Sequence, residues 1–151
     1  MSVQRGSRQI LIHGLLMVLI GLVWGLMVPN TPYPRLALGA HIQLVENGLL
    51  FVVLATLLLA LRHRVGPYSV WVMVLAAWLT WSMALSEVAN AWWGTNHVLP
   101  IAARQGGAAG GAAWQESIVT LTHIGAALAL IAAWALLIVG FCRTISPTDS
   151  R

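Results

Sequence analysis

Lysine is absent from these 151 residues, acids number only four (Glu46, Glu87, Glu116 and Asp149), and Cys142 is the single cysteine. Each scarcity excludes something. One cysteine cannot form an intrachain disulfide or a multi-cysteine metal site, and near the end of an apolar run Cys142 reads as a small apolar residue. Eight arginines bring the net charge to +4, yet they stand singly at segment ends and form no basic patch. Nucleic acid is therefore not a partner. What abounds is apolar: 59% of residues are hydrophobic and 8% charged, with a mean hydropathy of +0.82. That balance is an integral membrane protein's, with the lipid bilayer as its surroundings.

Residues 1–151 read as a single transmembrane domain, an all-α four-helix bundle with spans at about 10–28, 36–61, 68–93 and 114–142. Each run is long enough to cross a bilayer. Pro29, Asn30 and Pro32 turn the chain after the first run, and Gly66 and Pro67 precede the third. The first run is a retained helix, since no small-residue cleavage site follows it. Gly94 to Ala113 forms a loop ending in GGAAGGAA, which lacks the spacing of a phosphate-binding turn and reads as a flexible connector. Four spans place both termini on one side with Arg5, Arg8, Arg62, Arg64, Arg143 and Arg151, against Arg35 and Arg104 opposite. The positive-inside rule makes the termini cytoplasmic, and the expected location is the inner, cytoplasmic membrane.

Polar groups within the spans carry the chemistry. LALGAHIQLVENGLL, Leu36 to Leu50, holds His41, Gln43, Glu46 and Asn47. Lipid offers such groups no water, so each needs a partner or a function. In the third span Ser82, Ser86 and Asn90 recur every four residues on one face with Glu87 beside it, and in the fourth Glu116, Thr120 and His123 share a face. The ordinary reading is hydrogen bonding between helices, each bond worth roughly 0.6 to 2 kcal/mol. Among the embedded histidines His13, His41 and His123, no two have the spacing of a zinc pair. A haem iron needs only one proximal imidazole. His41 is thus either a cofactor ligand or an imidazole bonded between helices. Asn47 lies six positions on, about 9 Å along the axis and roughly 120° around it. The two cannot squarely face one small ligand, but a large flat cofactor between protomers could touch both.

The order Ala40-His41, then Asn47-Gly48, resembles the second helix of styrene oxide isomerase, a small four-helix membrane enzyme that uses ferric haem b. Pro34-Arg35, His13-Gly14, Leu99 to Ala103 and Gln115-Glu116 are more similar to its relative, hydroxylaminobenzene mutase. The resemblance implies His41 as axial ligand to the haem iron, Arg35 as a second cofactor-binding residue, and a homotrimer with haem at the subunit interface. It implies Asn47 beside a small aromatic substrate; the polar and aromatic pattern adds Trp78, Trp81 and Asn90 as expected pocket residues and Glu87, Glu116 or His123 as candidates for moving protons. The isomerase also uses a third-helix tyrosine. Here the tyrosines are Tyr33 and Tyr68, both near helix starts, and Trp81 stands close to the expected place. That departure favours the mutase branch: the iron as Lewis acid, Asn47 bonded to the migrating oxygen, and an arylhydroxylamine becoming a 2-aminophenol. The alternatives are epoxide-to-aldehyde isomerisation at the same site, a haem electron-transfer subunit with His13 or His123 as second ligand, and a small transporter using Glu46 or Glu87.

Overall fold

In the computed structural model, which describes residues 1–143, the described residues form five α-helices and one 3-10 turn, Val28–Asn30. The α-helices are α1 (Val3–Met27), α2 (Pro34–Ala60), α3 (Pro67–Trp93), the short α4 (Pro100–Gln105) and α5 (Ala113–Cys142). Four of them are long and apolar enough to cross a membrane, as a membrane-embedded helical bundle requires. Arg151 and Asp149 lie outside the described residues.

Local chemistry sets the helix ends. Pro34, Pro67 and Pro100 open their helices at the first turn, where a missing N–H costs nothing. α3 stops at Gly94, whose φ of 66° is left-handed. A Cβ there would also strike the ring of Tyr33 at 2.6 Å. α1 begins seven residues before the apolar run, because Ser2 accepts a hydrogen bond from the Arg5 N–H and caps a polar first turn. Hydropathy marks where lipid begins, and a helix is free to start outside it.

α1 packs on α2 along glycines. A Cβ on Gly14 would lie 2.7 Å from the Gly48 carbonyl oxygen, and one on Gly48 would lie 2.8 Å from the Gly14 oxygen. Backbone therefore rests on backbone at this crossing. Further along, Gly21 admits Leu44 and Val45, and the Trp24 indole N–H donates to the Ala37 carbonyl at 2.9 Å. Ile10, Met17, Leu44, Phe51, Leu54 and Met73 fill the core where α1, α2 and α3 meet. α5 lies against α3, and its Gly140 carbonyl accepts the Arg64 N–H at 2.9 Å.

The glycine-rich connector is folded back on the bundle instead of hanging free. Gly110 N–H donates to the Gly94 carbonyl, Ala108 N–H to Ala103, and Gly111 N–H to the Glu116 carboxylate. Gly107 and Gly110 take positive φ values of 73° and 115° there, conformations open to glycine at little cost. α4 adds a helical turn inside the stretch expected to be loop, its Gln105 bound by Arg35.

The α1–α2 crossing generates a stability prediction. Gly14→Val should lower the thermal midpoint in detergent, at a cost of about 1–3 kcal/mol from overpacking. Gly125→Ala, where an added Cβ meets nothing within 4 Å, should be neutral or stabilise by up to about 1 kcal/mol. Indistinguishable midpoints for the two variants would show that the close approach contributes nothing.

Candidate active site

His41 projects from α2 toward α1. Its Nδ1 lies 2.8 Å from the Gly21 carbonyl oxygen. A carbonyl can only accept, so Nδ1 carries the proton and the second nitrogen, Nε2, keeps its lone pair. The ring lies on Gly25, where a Cβ would come within 2.9 Å of Nδ1. The imidazole is half-buried, and Nε2 makes no bond among the described residues. An imidazole anchored through one nitrogen to a backbone carbonyl, with the other nitrogen bare, meets the requirement of an axial iron ligand.

Asn47 is buried on a different side of α2 from His41. Its amide N–H₂ donates at 2.8 Å to both the Gln43 backbone carbonyl and the Gln43 side-chain oxygen. Gln43 therefore serves its own helix, where a bond across to a neighbour was expected. Glu46, expected to bond across in the same way, faces outward beside the exposed Ile42, Leu49 and Leu50 and has no partner among the described residues. Arg35 stands exposed at the start of α2, its Nε donating to Gln105 Oε1 at 2.8 Å.

The other candidates gather elsewhere. Glu87, fully buried on α3, places Oε1 2.7 Å from His123 Nε2 on α5. His123 Nδ1 donates to the Val119 carbonyl at 2.7 Å, so one further proton lies between Nε2 and Oε1. The pair is net neutral whichever atom holds that proton. Beside it Ser86 meets Thr122 at 2.8 Å. Glu87 Oε2, facing Gly39 of α2, and Asn90 Nδ2 are buried without hydrogen-bond partners among the described residues, while Asn90 Oδ1 accepts from the Thr95 N–H and hydroxyl. Gly39 and His41, two residues apart, point to nearly opposite sides of α2. Within one chain, then, the Glu87–His123 pair and the bare nitrogen of His41 are separated by that helix.

Glu116 is occupied differently. Its carboxylate accepts the backbone N–H groups of Asn96, His97 and Gly111 at 2.9, 3.1 and 3.0 Å. It fastens the connector to the first turn of α5, where the helix dipole favours a negative charge. Trp81 donates its indole N–H to His13 Nδ1 at 3.1 Å, and Trp78 packs edge-on against the same ring at 4.7 Å. Those two tryptophans thus enclose His13 between α1 and α3. Sequence reasoning missed the roles of Gly21, Gly25 and Gln43; for Gln43 the four-residue spacing to Asn47 was the available signal.

The sequence has counterparts among known proteins. The family model for styrene oxide isomerase matches residues 6–142. The chain belongs to the styrene oxide isomerase family. Hydroxylaminobenzene mutase HabA of Ectopseudomonas oleovorans is 31% identical over 133 residues, covering 86% of this chain and 94% of that one. Hydroxylaminobenzene mutase HabB of the same organism is 29% identical over 135 residues, covering 89% and 80%. No solved structure matches. Membership in a family of isomerases, together with named mutases among its relatives, makes this chain an isomerase.

The Glu87–His123 pair yields a test that needs no substrate. Glu87→Ala strands His123 Nε2 in the core and should destabilise by about 1–3 kcal/mol. Glu87→Gln can donate an amide N–H to that nitrogen and should lose clearly less, read as thermal midpoints in detergent. Equal losses would mean that the carboxylate's charge, not the hydrogen bond, holds α3 to α5.

Proposed function

We propose that this isomerase converts an arylhydroxylamine to the 2-aminophenol at a site built on His41. The N–O bond breaks, a C–O bond forms at the ortho carbon, that carbon gives up its proton and nitrogen gains one. Atoms and electrons balance without an external oxidant. Relatives named hydroxylaminobenzene mutase support this reading at about a third identity along most of the chain. The single observation that carries it is the His41 imidazole, protonated at Nδ1 by its bond to Gly21 and open at Nε2.

Ferric haem b, held by His41, would supply Lewis acidity toward the substrate's oxygen. The chain does the rest. Gly21 and Gly25 hold the imidazole in one tautomer and orientation. The apolar surroundings keep water from a cationic ring that water would otherwise capture. Both amide protons of Asn47 are engaged by Gln43, so Asn47 meets the migrating hydroxyl as an acceptor. Glu87 and His123 hold one exchangeable proton between them, and Arg35 borders the outer end of α2.

Assembly follows from the outward face of α2. A carboxylate exposed at membrane depth beside Ile42, Leu49 and Leu50 needs cover that lipid cannot give, and a second copy of the chain gives it. A homotrimer with the cofactor between subunits would let His41 of one copy and Asn47 of the next address one large ligand. Arginines 5, 8, 62, 64 and 143 lie toward one end of the bundle and Arg35 and Arg104 toward the other, which supports cytoplasmic termini in the inner membrane. Electron transfer through two histidines of one chain is poorly served. His13 Nδ1 accepts from Trp81 and both nitrogens of His123 are engaged.

Purified protein should show a Soret band that His41→Ala abolishes together with isomerase activity. Membranes should convert phenylhydroxylamine to 2-aminophenol. A colourless active enzyme would remove the haem, turnover of styrene oxide alone would move the protein to the epoxide branch, and inertness toward both would refute the reading.

A further inference from the structure

A backbone carbonyl fixes which way Asn47 points. The Gln43 carbonyl lies 2.8 Å from one end of the Asn47 amide, and two facing oxygens would repel, so that end is Nδ2. Nδ2 also meets one end of the Gln43 side-chain amide at 2.8 Å; facing a donor, that end must be Oε1. The whole arrangement is thus determined by one carbonyl of α2. Both protons of Asn47 Nδ2 are engaged. What remains is Asn47 Oδ1, an acceptor, and Gln43 Nε2, a donor, neither of which makes another bond among the described residues. Neither is sealed in the core either, since among the described residues neither belongs to the buried side-chain atoms that lack a hydrogen-bond partner.

We infer that Gln43 and Asn47 form a donor–acceptor amide pair that selects the polar end of the substrate. Gln43 Nε2 donates to a ligand oxygen, and Asn47 Oδ1 accepts an N–H or O–H from the ligand. A hydroxylamine fills both positions. An epoxide, which has an acceptor oxygen but no donor, fills one and leaves Asn47 Oδ1 facing it unpaired, the arrangement by which a polar site rejects an analogue lacking a hydrogen. The inference rests on the isomerase reading for the location of the site, and Gln43 enters it as a residue no motif singled out.

The test measures binding by calorimetry in detergent, with two isomeric probes. N-ethyl-N-phenylhydroxylamine keeps an O–H; N,O-dimethyl-N-phenylhydroxylamine has the same atoms and bulk but no donor. Wild-type protein should prefer the first by on the order of tenfold. Asn47→Leu should erase that preference. Gln43→Met should weaken both probes alike and leave the preference standing, because the residue-43 backbone carbonyl still orients Asn47. Equal wild-type affinities overturn the inference, as does an Asn47→Leu variant that weakens both probes equally. Should Asn47→Leu fail to fold, Asn47→Ala takes its place under the same two criteria. A preserved preference in protein that isomerises neither phenylhydroxylamine nor styrene oxide would sink the isomerase reading and leave the amide pair intact.

Discussion

The contact between Gly14 and Gly48, backbone against backbone, is the constraint on which the site depends. With any side chain at either position the two helices would have to separate, and the Gly21 carbonyl would move away from His41. That carbonyl supplies the proton acceptor that leaves Nε2 bare. A packing feature thus selects the tautomer of the neutral imidazole. The Trp24 bond to Ala37 reinforces the same crossing one turn from Gly21, so the imidazole is oriented by a rigid frame and not by its own rotamer preference.

The remaining polar groups show how a lipid-embedded chain distributes its obligations. Glu87 and His123 neutralise one another between α3 and α5, Ser86 meets Thr122 beside them, and Glu116 gathers three backbone donors at a helix start. Each arrangement avoids an isolated charge in a medium that cannot solvate one. Glu46 is the exception, and its exposure says more about what surrounds the chain than about the chain itself.

Long apolar runs, prolines at helix starts and Gly94 at a helix end made the four spans legible in the sequence, because those signals are local. The start of α1 was not legible from hydropathy, which reports lipid and not hydrogen bonding. Nor was the folded connector, where a run of glycine and alanine is held by a carboxylate three residues beyond its close. At the site, His41 and Asn47 stood out as polar residues in lipid. The partner of His41 lies twenty positions away on another helix, a pairing that depends on how α1 and α2 cross and that no spacing rule supplies. Gln43 was visible but drawn toward the wrong neighbour: a four-residue spacing serves equally for a bond within a helix or a shared face toward another.

Everything that orients His41 and Asn47 lies between Gly14 and Gly48. The hairpin of α1 and α2 therefore contains every contact that orients these two side chains. Once the second span has left the ribosome and entered the bilayer, the imidazole has its tautomer and the amide pair its direction. α3 and α5 arrive later, as walls around a centre already set. The contacts that orient His41 and Asn47 thus lie in the first third of the chain, and the later helices add the Glu87–His123 pair.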